Sequence, residues 1–259
     1  MRILFIGDVV ARSGRRAVLN HVSSLRTEHA VDAVLMNAEN VAGGFSITPP
    51  IAKELFEAGI DLMTSGNHIF DKKEVVPYIR KQPKLIRPAN YPPGTPGAGC
   101  FEGEIAGRKI AVINLLGRVF MPPVDDPFRS VDECLSMLDP ESKIRIVDMH
   151  CEATSEKYAM GWHLDGRVSL VVGTHTHVPT ADERILENGT AYVTDLGMTG
   201  SYAGVIGMNK EDVLKRFTIM PHDRAGHSKG SVWICYIVVE IDDETGKALT
   251  IERFRKEVN

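Results

Sequence analysis

Cysteine is scarce in this chain and has no metal-binding pattern. Cys100, Cys134, Cys151 and Cys235 are scattered over 259 residues without a C-x-x-C pair. That spacing argues against a thiolate zinc site or a disulfide frame, and for free thiols in a reducing cytoplasm. Long apolar runs are missing too. The longest, residues 232–239, has the length of a strand and falls far short of the ~20 residues a membrane helix needs. Met1 and Arg2 lead into an apolar stretch at residues 3–6, too short for the core of a secretory signal. The expectation is a cytoplasmic protein with no membrane contact. Charge of one sign is also lacking: 30 Lys and Arg stand against 34 Asp and Glu, a formal net charge of −4. Wholesale binding to a nucleic-acid backbone is therefore unsupported, and any contact with RNA would be local. There is no internal repeat and no low-complexity tract. The Gly-rich stretch 197–208 lacks the lysine of a P-loop, so it is a weak phosphate signal.

What is present points to an α/β fold. Hydrophobic residues make up 43% of the chain, enough for a substantial core, and one domain spanning residues 1–259 is the default. Residues 3–6 form a buried-strand pattern closed by Gly7-Asp8, and a helix is expected from Ser13 to Glu28 with Val18, Val22 and Leu25 on one face. Arg12, Arg15 and Arg16 crowd its first turn, where they oppose the helix dipole. Solvated side chains are the preferred reading and a bound anion the alternative. Strands are expected at 31–36 and 60–64, separated by a helix that Thr48 caps and Pro49 opens. A proline-rich ordered loop follows at 84–99. A hairpin around Ala106-Gly107 and a helix at 131–138 come next, then a strand at 143–149, a helix at 155–163 and strands at 168–172 and 190–194. Asn209 caps a helix to Phe217, and residues 231–241 and 248–254 close the chain as an antiparallel hairpin.

The chemistry gathers where strands end. Asp8, Glu39 with Asn40, Asn67 with His68, His150, and the pair His175 and His177 each follow a strand. Ligand sites of open α/β sheets lie outside the carboxyl ends of strands, so residues distant in sequence converge on one rim. Any one of these motifs alone reads as a cap or a surface turn. Together they form a mixed carboxylate, carboxamide and imidazole set that suits Fe, Mn or Zn better than Ca or Mg. The number of ligands is enough for two ions. Such a pair, about 3.5 to 4 Å apart, can hold a hydroxide and clamp both oxygens of an in-line phosphoryl displacement. Cys151, next to His150, points to the other side of its strand, and His163 reads as a helix-terminal or core histidine.

In their order, Gly7-Asp8, the acidic residue after the second strand, Gly66-Asn67-His68, His150 and Gly173-Thr-His175-Thr-His177 resemble the calcineurin-like metallophosphoesterases. The runs Asn37-Ala-Glu39-Asn40-Val-Ala-Gly43-Gly44, Arg87-Pro-Ala-Asn-Tyr-Pro92 and Met198-Thr-Gly-Ser-Tyr-Ala-Gly204 extend that resemblance to the YmdB-like bacterial phosphodiesterases over essentially the whole chain. The chain departs from the broader superfamily in having Val10 where a histidine is usual and Glu39 where an aspartate bridges.

The resemblance implies an α/β sandwich with a two-layered sheet core flanked by helices. It implies two transition-metal ions per chain, iron first with manganese or zinc as alternatives. One ion is held by Asp8, Glu39, Asn40 and His177, the other by Glu39, Asn67, His150 and His175, and Glu39 bridges. His68 then protonates the leaving oxygen after attack by a bridging hydroxide, with Asp71 as a candidate to orient it. The implied substrates are small phosphodiesters, 2′,3′-cyclic nucleotides in particular. A phosphomonoesterase, or a nucleotide- or RNA-binding regulator whose metals only staple the rim, are the alternatives, and a homo-oligomer is left open.

Overall fold

A computed structural model describes residues 1–220 and 225–258. Two β-sheets face each other, and helices cover both outer faces. The first sheet contains β1 (Arg2–Ile6), β2 (Asp8–Val9), β3 (Ala33–Asn37), β4 (Leu62–Thr64), β11 (Met198–Ser201), β12 (Val232–Ile241) and β13 (Ala248–Val258). Its order is β2-β11-β12-β1-β3-β4, with β13 added on β12. The second contains β5 (Cys100–Ile105), β6 (Arg108–Leu116), β7 (Ile144–His150), β8 (Leu170–Thr174), β9 (Arg184–Ile185) and β10 (Ala191–Val193), in the order β5-β6-β7-β8-β10-β9.

The period-2 alternation of strand side chains divides the core into layers. In β1, Ile3 and Phe5 point between the sheets, where they meet Ile110, Ile146, Leu170 and Val193. Leu4 and Ile6 point the other way, toward Val18, Val22 and Leu25 of α1 (Ala11–Glu28) and Leu55 of α2 (Pro49–Glu57). On the far side, Ile113, Val147 and Val171 pack against Val131 and Cys134 of α4 (Pro127–Met137) and Met160 and Leu164 of α5 (Thr154–Leu164). Strands buried on both faces read as continuous apolar runs, as these do. The expected α/β sandwich is the observed fold.

Several boundaries differ from expectation for local reasons. Helix α1 begins at Ala11, two residues before Ser13, because the backbone N–H of Ala11 and of Val10 bond the carbonyls of Asn40 and Thr199 and fix the entry. Helix α4 begins at Pro127, since the Asp126 carboxylate accepts from the N–H of Phe128 and Arg129. The stretch 197–208 is not all loop: Met198–Ser201 is β11, parallel to β2 and antiparallel to β12. The short α3 (Val75–Ile79) was not anticipated. Asn209 caps α6 (Lys210–Ile219) as expected, its side chain accepting from the Asp212 N–H. Ala106 and Gly107 both take positive φ, 51° and 74°, as a two-residue hairpin turn of right-handed twist requires. Arg12 and Arg16 are exposed, while Arg15 bonds the Val41 carbonyl at 3.1 Å. The solvated reading of that cluster therefore stands for the first two. Among the described residues, no helix is long and apolar enough to cross a membrane.

Candidate metal centre

Strands β1, β3 and β4 run parallel in one sheet and β6, β7, β8 and β10 in the other. Their carboxyl ends meet across the interface between the sheets, so the rim anticipated from one sheet is a seam between two. Asp148 of β7 marks the join: it accepts from Thr64 Oγ1 at 2.5 Å and Asn37 Nδ2 at 3.2 Å, both from the opposite sheet.

At that seam the structure brings together all seven of the expected ligand residues. His150 Nε2 lies 3.1 Å from Glu39 Oε1, 3.1 Å from Asn67 Oδ1 and 3.2 Å from His175 Nδ1. Ligand atoms of Glu39, His150 and His175 all fall within 4.8 Å of one another. Beside them, His177 Nε2 lies 3.3 Å from Asn40 Nδ2 and 4.0 Å from Asp8 Oδ1. Glu39 touches both groups, since Oε1 also accepts from Asn40 Nδ2 at 3.0 Å.

The electrostatics of the seam call for positive charge. Asp8 is fully buried, its Oδ2 accepts from the His175 N–H at 3.1 Å, and its Oδ1 has no hydrogen-bond partner. Burial pushes its carboxyl up to about 6, against the opposing pull of His177 and His150. Burial would also raise Glu39, but His150 and His68 together outweigh it and hold Glu39 low, while Glu39, with Asp8 and Asp148, raises His150 despite its own burial. His175 is lowered to about 3 by burial and then by the neighbouring His150. A buried carboxylate oxygen without a hydrogen bond, two imidazole nitrogens 3.2 Å apart and a carboxylate beside them make a donor set that fits divalent cations. As placed, Asn40 turns its N–H₂ toward its acceptors. Rotating the amide by half a turn would present its oxygen instead, and amide orientation follows the hydrogen-bond network around it.

Local backbone structure holds these groups in place. Gly66 leaves the space they need: a Cβ there would fall 2.3 Å from His150 Nε2 and 2.4 Å from Glu39 Oε2. His175 and His177 both take positive φ, 98° and 64°, which costs non-glycine residues on the order of 1–3 kcal/mol each. The turn is fastened at three points. Asp8 accepts the His175 N–H, Asp195 accepts both the N–H and Oγ1 of Thr176, and the Ile206 carbonyl accepts from His177 Nδ1 at 3.0 Å. Thr176 thus points away from the centre, as its spacing implies.

Three structural partners were missed from the sequence. Asp148 and Thr174 form a chain to His150: Thr174 Oγ1 lies 2.7 Å from Asp148 Oδ1 and 2.8 Å from His150 Nδ1, leaving Nε2 to face the seam. Asp148 sits two residues before His150 on the same strand face, a period-2 signal that was legible. The third is Lys157, whose Nζ meets Asp195 Oδ2 at 2.6 Å with both side chains 1% exposed. Its signal was a lysine sharing the buried stripe of α5 with Met160, Gly161 and Leu164. Lys157→Met should destabilise the protein by roughly 3–5 kcal/mol in urea unfolding, because it strands a buried carboxylate beneath the histidine turn. Adding Asp195→Asn should restore part of that loss, whereas a single-mutant cost below about 1 kcal/mol would remove the pair from this role.

His68 stands at the edge of the centre. Its backbone N–H donates to Glu39 Oε2 at 3.0 Å, its Nδ1 lies 2.8 Å from Asp71 Oδ2, and Phe45 packs edge to face on its ring. His163 is elsewhere, bonded to Asp132 and packed on Phe128 at the end of α5, as expected. Cys151 lies in the apolar cluster beneath α4 and α5.

A seam of two facing sheets that delivers carboxylates, carboxamides and imidazoles to one point is the arrangement of the metallophosphoesterase fold. More narrowly, residues 4–254 match the model of the YmdB-like protein family, and the chain belongs to that family. It is 49% identical over 253 residues to the 2′,3′-cyclic-nucleotide 2′-phosphodiesterase of Bacillus subtilis, covering 98% of this chain and 96% of the relative. Among solved structures, a hypothetical protein from Thermus thermophilus superposes with a TM-score of 0.93 at 41% identity, covering 99% of both chains. A phosphatase from Mycoplasma pneumoniae does so with a TM-score of 0.93 at 34% identity, covering 99% of this chain and 93% of the other.

Proposed function

We propose that this chain is a metal-dependent phosphodiesterase that hydrolyses small phosphodiesters, 2′,3′-cyclic nucleotides first among them. The observation that carries the reading is the buried Asp8 Oδ1, left without a hydrogen bond beside a cluster of imidazole and carboxylate donors, with an Asp-paired histidine at its edge. The 49% identity to a cyclic-nucleotide phosphodiesterase supports the substrate class. Asp8, Asn40 and His177 would hold one transition-metal ion and Asn67, His150 and His175 the other, with Glu39 shared. Bound there, the two ions supply an activated water and charge neutralisation at the phosphoryl oxygens.

The protein's own groups do the rest. Asp148 and Thr174 hold the His150 ring so that Nε2 faces the seam. Asp71 accepts from His68 Nδ1 and so fixes the ring with Nε2 free to carry a proton to the leaving oxygen. In a 2′,3′-cyclic nucleotide, oxygen from water bonds to phosphorus, the bond from phosphorus to O2′ breaks, and His68 protonates O2′. The product is a nucleoside 3′-phosphate. His68 favours this reading over a regulator whose metals only staple the rim, which has no use for a proton donor at the edge.

The test is incubation of metal-loaded protein with 2′,3′-cyclic AMP, followed by phosphorus NMR. A 3′-monoester product is expected, and ligand retained without turnover would overturn the proposal. Metal removal gives a second check. Divalent cation at 100-fold its Kd should raise stability by about 2.7 kcal/mol for each site filled over the chelated protein, read as a higher thermal midpoint. An unchanged midpoint would mean that the seam does not bind cations in the folded state.

A further inference from the structure

Two hollows lie beside the candidate metal centre. The larger, about 570 Å³, is lined by Phe45, Asp71, Lys72, Met208, Arg216 and Ala225. It begins at the proton donor, because Phe45 meets the His68 ring with centroids 5.0 Å apart and Asp71 holds its Nδ1. The smaller, about 350 Å³, begins at His177 and runs past Pro179, Met198 and Tyr202 to Arg255.

The turn at residues 205–208 stands between them. Ile206 lines the smaller hollow and Met208 the larger. This partition is well fastened: Val205 and Met208 exchange both backbone hydrogen bonds at 2.9 Å, the Ser228 N–H bonds the Gly207 carbonyl, and His177 Nδ1 bonds the Ile206 carbonyl.

Each hollow carries the chemistry of a nucleoside arm. Both volumes fall within the ~300–1,000 Å³ usual for small-molecule sites. Phe45 and Met208 give the larger an apolar, aromatic wall, and Lys72 and Arg216 give it cationic ones. In the smaller, the Arg255 guanidinium lies 4.5 Å from the centroid of Tyr202 and 4.4 Å from that of Trp233. Bases stack on aromatic rings and on guanidinium planes, and the energy of such stacking is largely independent of sequence. A 2′,3′-cyclic nucleotide carries both ester oxygens on one ribose, so it has a single nucleoside arm and fills one hollow.

We propose that the centre also hydrolyses linear phosphodiesters that join two nucleosides, one seated in each hollow. This rests on the diesterase reading and extends its substrate class. The bond that breaks is the one between phosphorus and the arm in the larger hollow. Oxygen from water replaces it on phosphorus, one proton of that water ends on the departing alcohol by way of His68, and the other is released. The arm against Arg255 keeps the phosphate as a monoester.

The test compares a dinucleoside monophosphate with 2′,3′-cyclic AMP on the metal-loaded protein. Turnover of the linear diester to a nucleoside and a nucleoside monophosphate is expected. In Arg255→Met, the ratio of kcat/KM for the linear substrate to that for the cyclic one should fall about tenfold or more, mainly through KM. Turnover of the cyclic nucleotide with the linear one left intact would overturn the inference. So would a parallel fall for both substrates in the variant. Turnover of neither substrate would instead remove the diesterase reading on which it stands.

Discussion

Glu39→Gln is expected to lower kcat/KM for a 2′,3′-cyclic nucleotide by ~10³-fold or more, a loss of at least about 4 kcal/mol of transition-state stabilisation. Glu39 is the residue common to both ligand groups: Oε1 reaches Asn40 and His150, and Oε2 accepts from the His68 N–H. A carboxamide keeps the shape and one acceptor but loses the charge that would hold two cations together in the proposed centre. The fold should survive. With no cation bound, the Glu39 carboxylate pairs with His150, which holds its carboxyl low, so the amide gives up a favourable interaction while leaving His150 its other neighbours. The chelated variant should therefore unfold in urea somewhat earlier than the chelated parent, by the loss of that one pair, and only the parent should gain stability from added metal. Undiminished turnover in the variant would sink the proposed chemistry.

The second large effect concerns His68. Replacing it by Ala should cost roughly 10²–10⁴ in rate on a diester whose leaving group is a poor, alkoxide-type one such as a ribose oxygen. On a nitrophenyl diester the loss should shrink to about tenfold or less, since that leaving group departs as a stable anion and needs no proton. The contrast separates proton donation from mere support of the backbone. His68 holds Glu39 through its main-chain N–H, which Ala retains. An equal loss on both substrates would assign the residue a structural part only. Asp71→Asn should follow the same pattern at smaller amplitude, because it acts through His68 Nδ1.

Much of this arrangement was legible in the amino-acid order. Asp8, Glu39, Asn67, His150 and His175 each close an apolar strand run, and such runs can be recognised without knowing how the sheets pack. The convergence of two sheets on one seam was not legible from those runs, because nothing in a strand's own sequence states which sheet it joins. Strand β11 was hidden for a related reason. Met198–Ser201 contains Gly200 and follows Gly197, so it reads as loop, and it is strand only because β2 and β12 supply partners on both sides. The positions of Asp148 and Lys157 fit the strand and helix periods, yet a charged residue within a strand or helix is usually a solvated one. Their burial depends on Thr64, Thr174 and Asp195, which lie far away in sequence. The histidine pair shows the same limit. Spacing alone placed His175 and His177 near one another, whereas the structure shows their rings with different neighbours: the His175 ring beside His150, which in turn meets Asn67, and the His177 ring beside Asn40 and Asp8.

The division of those two histidines is the centre of the account, and anomalous diffraction from metal-loaded crystals tests it most directly. Two transition-metal peaks about 3.5 to 4 Å apart are predicted, on either side of Glu39, with His175 bound to one and His177 to the other. A single peak coordinated by both histidines, or none after reconstitution, would contradict it.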